Sequence, residues 1–135
     1  MINTYKKGSN IQLSINFTSN NFDCHCDQCK ETSIDSNLID KGDKLVLLLG
    51  TKLTINSGYR CAHKQEMLRI QGLETSKGIS QHQLGRAMDI SNGIATGMEL
   101  AEAAILAGFK AIGQASNWIH VDLRNDLIRR WNYKS

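Results

Sequence analysis

Two short segments in the second half of the chain, "RAMDIS" (residues 86–91) and "WIHVDLR" (residues 118–124), limit the fold most strongly. In both, apolar side chains recur at every second position, which is typical of a β-strand with one face against a hydrophobic core. The opposite face carries Asp89 in the first segment and His120 and Asp122 in the second. The sequence therefore predicts a half-buried sheet that holds these polar groups in fixed directions.

Two further segments have the spacing of helices that bury one face, and a shorter segment between them is also predicted to be helical. The first is rich in leucine; Ser36 or Asn37 can cap its start, and Gly50 can end it. The last carries alanine and leucine on one face and stops at Gly108. These helices are predicted over residues 36–52, 62–71 and 96–109.

Short alternating segments predict further strands over residues 11–17, 52–57 and 110–114, and residues 72–80 predict a loop. A mixture of helices with antiparallel-looking strands favours the α+β class. The length of 135 residues suits one core. We therefore expect a single small domain, residues 1–135, in which helices flank an antiparallel central sheet.

The composition is that of an ordinary globular protein, with 41% hydrophobic and 21% charged residues. The net charge is only +3 and the basic residues are scattered, so nucleic acid is not an expected partner. No stretch approaches the roughly 18 apolar residues of a membrane span, and the first residues lack the apolar core of a signal peptide. We expect a monomer that is synthesised in the cytoplasm.

His82, Asp89 and His120 are candidate metal ligands. Two histidines and one carboxylate leave a tetrahedral Zn²⁺ ion with one open position, which is the arrangement of a catalytic zinc. Such an ion lowers the pKa of bound water and polarises a carbonyl group. The set thus predicts a zinc-dependent hydrolytic site.

Four cysteines, Cys24, Cys26, Cys29 and Cys61, form a second group. Four thiolates are sufficient for a closed structural zinc site. Free buried thiols are another interpretation, and disulfides are a third that would need an oxidising location. Since Cys61 directly follows Arg60, a metal at this group would fix the N-terminal segment beside the predicted site.

Four motifs, "SGYRC", "SQHQLGRAMDI", "GFKAIG" and "WIHVDLR", occur in this order and resemble those of the M15 zinc peptidases. This family includes D-alanyl-D-alanine carboxypeptidases and peptidoglycan endopeptidases, and it shares its metal-site fold with the hedgehog signalling domain. The resemblance is to the compact branch whose second motif reads His-x-Asp. It extends over residues 22–131, after an N-terminal segment of residues 1–20.

The resemblance implies a role for each matching residue. His82, Asp89 and His120 would be the zinc ligands, and Arg60 would bind substrate or stabilise a developing oxyanion. Ser80 matches a serine that lies beside the site and contacts substrate, although a turn cap is the other interpretation.

The general base is where the sequence departs from the wider family. Many members have an acidic residue three positions before the second histidine, where this chain has Asn117, and an amide cannot take the proton. The compact branch instead offers the acid two positions after the histidine, which is Asp122. This carboxylate is predicted either to act as the catalytic base or to orient His120.

The resemblance implies a zinc metallopeptidase that hydrolyses peptide bonds in bacterial peptidoglycan stem peptides. Both carboxypeptidase and endopeptidase action stay open. Without a recognisable signal peptide, a phage or prophage endolysin, or a virion-associated enzyme of the cell wall, is the expected setting. The alternative is a non-catalytic zinc-containing binding module of the same fold, which the absence of an acid at Asn117 favours.

Overall fold

The computed structural model describes residues 1–73 and 79–133, and these form a small α+β domain, as predicted. The predicted loop over residues 72–80 lies partly outside the described residues. The helices are α1 (Ser36–Leu49), α2 (Ala62–Ile70) and α3 (Gly97–Leu106), with a 3₁₀ turn at Ser19–Phe22. The strands are β1 (Ile2–Lys6), β2 (Glu31–Asp35), β3 (Thr54–Ser57), β4 (Ala87–Ser91), β5 (Ala111–Gln114), β6 (Ile119–Asp122) and β7 (Arg129–Asn132).

The central sheet has five strands in the order β3-β4-β6-β5-β7. Every neighbouring pair is antiparallel except β5 and β7, which run parallel at one edge. The predicted antiparallel sheet is therefore confirmed, with one parallel pair added. Strands β1 and β2 form a separate antiparallel ribbon.

Alternation along the strands divides the central sheet into two faces. Met88, Ile90, Ile112, Ile119 and Val121 are at most 1% exposed and join a core that includes buried residues of α1 and α3. The intervening residues of β4 and β6 project to the other face. The apolar residues of the predicted pattern therefore pack in the core, and the polar residues lie on the opposite face of the sheet, where they can form a site.

Helix boundaries agree closely with the sequence pattern, apart from the first cap. Gly50 ends α1 in the left-handed conformation, with φ of 70°. The N-cap is Asp35 rather than Ser36 or Asn37, because the Asp35 carboxylate accepts a hydrogen bond from the Asn37 amide at 2.9 Å. None of the helices in the described ranges is long and apolar enough to cross a bilayer.

The predicted strand over residues 11–17 is wrong. This segment turns back on itself, with the Leu13 amide donating to the Phe17 carbonyl, and has a single isolated bridge between Gln12 and Thr18. The strands that do form nearby, β1 and β2, are mostly polar. Alternate residues of β1 are exposed, and two of the three buried residues of β2 are the polar Thr32 and Asp35, so neither strand has a clear hydrophobic periodicity. Strand β7 is also mostly polar, with exposed alternate residues, and the sequence pattern does not predict it either.

Candidate functional site

A cleft of about 680 Å³ opens on the face of the central sheet opposite α1 and α3. Three of its lining residues, His82, Asp89 and His120, are less than 10% exposed and are the predicted metal ligands. The predicted residues Arg60, Ser80 and Asp122 also line it. The structure thus brings six sequence-predicted residues to one cleft.

One row of residues across the sheet organises this cleft. Asp89 on β4 is paired with Ser57 on β3 and with His120 on β6. His120 is paired in turn with Gly113 on β5, which is paired with Trp131 on β7. A Cβ atom on Gly113 would lie 2.6 Å from Trp131 Nε1, so the absence of a side chain there lets the indole lie close to His120.

The hydrogen bonds of the two histidines fix which ring nitrogen faces the centre of the site. His82 Nδ1 lies 2.8 Å from the Gly58 carbonyl oxygen and must donate to it, which leaves the Nε2 lone pair 3.3 Å from Asp89 Oδ1. His120 Nε2 lies 2.8 Å from Asp122 Oδ2, and Nδ1 lies 3.0 Å from Asp89 Oδ1. Both free nitrogens therefore converge on one carboxylate oxygen.

This donor set fits a metal ion. The three ligand atoms, one from each residue, lie within 4.8 Å of one another. With both histidines neutral, two lone pairs and a carboxylate oxygen would face each other without a proton between them, and a cation removes that repulsion. Each histidine also holds its second nitrogen against a backbone or carboxylate oxygen, which is the usual outer partner of a metal-bound imidazole.

The pKa values of Asp89 and His120 show that these two groups interact strongly. Burial disfavours the charged form of Asp89, but its close contacts with His120 and His82 outweigh burial and hold its pKa well below the usual range. Burial likewise opposes charge on His120, yet hydrogen bonds to Asp122 and Asp89 raise its pKa. The Asp89 carboxylate and the His120 imidazole therefore each favour the charged form of the other.

His82 is presented by a tight turn between α2 and β4. Ser80 Oγ accepts a hydrogen bond from the His82 amide at 3.2 Å, while the Arg60 amide donates to the His82 carbonyl at 3.1 Å. Ser80 is 7% exposed and also lines the cleft. Its hydroxyl thus caps the turn that carries a candidate ligand.

Arg60 extends its guanidinium along the edge of the ligand set. Its Nη2 donates to Asp89 Oδ2 at 3.0 Å, and its Nε donates to Ser57 Oγ at 2.9 Å. The carboxylate of Asp89 therefore has one oxygen toward the histidines and the other toward Arg60. This places a permanent positive charge next to the metal-ligand oxygens and within the cleft.

Asp122 lies behind His120 and is completely buried. Its Oδ1 accepts from Arg124 Nε at 3.0 Å, and its Oδ2 accepts from Arg124 Nη2 at 2.8 Å as well as from His120. Burial opposes its ionisation, but the hydrogen bonds from His120 and Arg124 lower the pKa of Asp122 to about 2. It is a fixed carboxylate with both oxygens occupied.

Asn117 lies apart from the ligands. It is exposed and lines a second, smaller depression with Ser91 and Thr96. Sequence reasoning missed several contributors to the site, including Gly58 and Tyr133. The Gly58 carbonyl that orients His82 is a backbone group with no sequence signal, and Tyr133, whose ring stacks on Trp118 at 5.1 Å, follows a strand that was not recognised.

The structure also brings the four cysteines together, and their sulfur atoms all lie within 4.8 Å of one another. This group lies at the start of α2, where Cys61 is the N-cap residue. It is separate from the His82, Asp89 and His120 set, although Cys61 directly follows Arg60.

A buried set of two histidines and one aspartate that opens into a cleft is the donor arrangement of a mononuclear metal-dependent hydrolase. A sequence model of the peptidase M15 family matches residues 15–122, which is most of the chain, and the chain therefore belongs to that family. Membership and donor set together define a metallopeptidase. No curated protein matches the chain closely enough to add a relative.

Proposed function

We propose that this protein is a zinc peptidase that hydrolyses peptide bonds in peptidoglycan stem peptides. The observation that carries the proposal is the set of His82 Nε2, Asp89 Oδ1 and His120 Nδ1, which converge at the cleft beside the guanidinium of Arg60. Zn²⁺ bound by these atoms would act as a Lewis acid that polarises an amide carbonyl and makes water a better nucleophile at neutral pH.

Arg60 is proposed to stabilise negative charge during hydrolysis. When water adds to the amide carbon, charge develops on the carbonyl oxygen before the C–N bond breaks and the amine leaves with a proton. The Arg60 guanidinium already lies beside the ligand carboxylate, to which it donates a hydrogen bond, and it lines the cleft. It would serve equally well for a substrate carboxylate.

Asp122 is proposed to position His120 rather than to carry protons in turnover. Its two oxygens are held by Arg124 and His120, and its low pKa means that it stays ionised at neutral pH. A carboxylate in this position fixes the tautomer and orientation of the metal-binding imidazole. Its other predicted role, as the catalytic base, stays a prediction. Ser80 is proposed to position His82 in the same sense.

The walls of the cleft suit a charged peptide. Arg60 and Arg124 supply two cationic groups near the ligand set, and Trp118 and Tyr133 supply a stacked aromatic wall. Stem peptides carry free carboxylates, which guanidinium groups bind in a bidentate manner. Action at the cell wall, as an endolysin or a virion enzyme, is part of this proposal and rests on the substrate class.

The proposal is tested by digesting purified peptidoglycan and identifying released peptides by mass spectrometry. We expect new fragments that disappear with a chelator and return when zinc is added. The mass of the fragments also separates loss of a terminal D-alanine from cleavage within a stem or crosslink. Intact peptidoglycan after incubation with zinc-loaded protein would contradict the proposal. If the protein cleaved only other peptides, the peptidase activity would stand and the proposed substrate would be wrong.

One observation favours a second candidate, a non-catalytic zinc-binding module. Among the described residues that line the cleft, the carboxylates are Asp89, a candidate ligand, and Asp122, which is held by Arg124 and His120. Neither is placed to accept a proton freely. A module of this kind would bind peptidoglycan fragments in the presence of zinc and release no product, which the same digest detects.

A further inference from the structure

Cys24, Cys26, Cys29 and Cys61 come from two parts of the chain and meet at one point. Cys26 Sγ lies 3.5 Å from the sulfur of Cys24, 3.4 Å from that of Cys29 and 3.4 Å from that of Cys61. The sulfurs of Cys24 and Cys61 are 3.7 Å apart. Cys24 and Cys61 are buried, and the other two are half-buried.

These separations distinguish between the three interpretations of the cysteines. A disulfide needs sulfurs about 2.05 Å apart, and all four cysteines are free. Four thiolates on a zinc ion with Zn–S bonds of about 2.3 Å form a tetrahedron whose edges measure about 3.8 Å. Separations of 3.4 to 3.7 Å are therefore close to those of a tetrahedral sulfur site.

The surroundings match the charge of such a site. Four thiolates on a divalent ion carry a net charge of about −2, which needs nearby donors and cations. Lys7 Nζ lies 3.6 Å from Cys29 Sγ and also donates to the Cys26 carbonyl oxygen. The amide of Lys64, in the first turn of α2, donates to Cys61 Sγ at 3.4 Å.

We propose that Cys24, Cys26, Cys29 and Cys61 bind a structural zinc ion, separate from the catalytic site, through four thiolates. The four thiols lose their protons to solvent on binding. All four positions of the tetrahedron are filled by protein, so the ion has no open site for substrate. His25, which lies between two of the ligands, is exposed and is not part of the group.

The proposed ion would hold the segment that builds one side of the cleft. Residues 58–61 supply the Gly58 carbonyl that orients His82 and the guanidinium of Arg60. This segment packs closely against Phe22, just before the first three cysteines. The Tyr59 amide donates to the Phe22 carbonyl, and a Cβ atom on Gly58 would lie 2.7 Å from Phe22 Cα. A metal between Cys24 and Cys61 would lock this contact.

The test measures zinc in the purified full chain and then records the spectrum after replacement by cobalt. We expect two zinc ions per chain in the unmodified protein and one in both Cys26→Ser and His120→Ala. Cobalt in His120→Ala should show the intense sulfur-to-metal charge-transfer absorption of a thiolate site, and cobalt in Cys26→Ser should lack it. His25→Ala, the matched control, should keep two ions.

Thiol titration of the unmodified protein gives an answer even if Cys26→Ser does not fold. We expect all four thiols to be protected from a thiol reagent until a strong chelator is added. Reaction without chelator would indicate free thiols, and no reaction after chelator and unfolding would indicate disulfides; either result overturns the proposal. The cobalt spectrum of His120→Ala and the thiol titration do not depend on an ion at His82, Asp89 and His120, so they test the cysteine site separately from the proposed function.

Discussion

The His82, Asp89 and His120 set and the four-cysteine cluster are built from different parts of the fold. Two of the three ligands in the first set, Asp89 and His120, lie directly opposite each other on neighbouring strands of the central sheet. Three of the four cysteines lie in a short irregular segment, residues 24–29, and the fourth caps α2. One cluster is supported by a hydrophobic core, and the other has little regular structure around it.

This difference indicates what each metal contributes. The β4–β6 ladder is held in register by its apolar face, so Asp89 and His120 stay close with or without an ion. Residues 24–29 have no ladder of this kind, and their arrangement depends on what joins the sulfurs. We expect metal at the first site to determine activity and metal at the second to determine stability.

The largest expected effect is on turnover in His120→Ala. Removing one of three ligands deprives the site of the Lewis acid, which supplies several kcal/mol of transition-state stabilisation, so activity should fall by at least about 10³-fold. The fold should persist because the ladder is made by backbone groups. Steady-state hydrolysis with zinc in excess, compared with His25→Ala, measures this; near-normal turnover in His120→Ala would contradict the ligand assignment.

The next effect is on the stability of Cys26→Ser. A zinc ion that binds only the folded state at free concentrations of 100 to 1,000 times its Kd stabilises that state by about 3–4 kcal/mol. Losing the ion should lower the free energy of unfolding by this amount. Urea unfolding with zinc present measures it, and the unmodified protein with chelator should approach the variant. Equal midpoints for both proteins in zinc would show that the cluster does not stabilise the fold.

Much of the site on the central sheet was predictable, because the residues that form the site lie in the same alternating segments that predict the strands. The alternation in "WIHVDLR" places Ile119 and Val121 in the core and His120 and Asp122 on the other face, and the structure has this arrangement. The α+β class and the helices α1 and α3 were predicted from periodicity in the same way. What was missed, β1, β2 and β7, lies in polar segments whose pairing depends on tertiary contacts.

Other features depend on partners that are distant in sequence. Whether Asp122 faces His120, Arg124 or open solvent is a matter of side-chain rotamers, which a strand pattern does not encode. Cys61 meets residues 24–29 only because the chain returns after 31 or more intervening positions, and cysteine spacing alone does not specify this contact. The carbonyl that orients His82 belongs to the backbone of Gly58, so no side-chain type in the sequence indicates it.

The smallest effect, and the one that separates positioning from proton transfer, is expected for Asp122→Asn. The change keeps the volume of the buried side chain but removes the charge that holds His120 and Arg124. Loss of such an outer partner typically costs about 10–100-fold in metal affinity or activity. We expect zinc affinity to fall within this range and turnover to recover largely when zinc is saturating.

The matched control for Asp122→Asn is Asp126→Asn, the same change in an exposed carboxylate that pairs with Arg129 at 2.8 Å and does not line the cleft. It should leave both zinc affinity and turnover unchanged, because an exposed pair contributes little. If Asp122 were the catalytic base, Asp122→Asn would instead keep its zinc affinity and lose turnover even at saturating zinc. A fixed, fully buried carboxylate with both oxygens occupied favours the first result, since proton transfer would require it to give up a partner in every cycle.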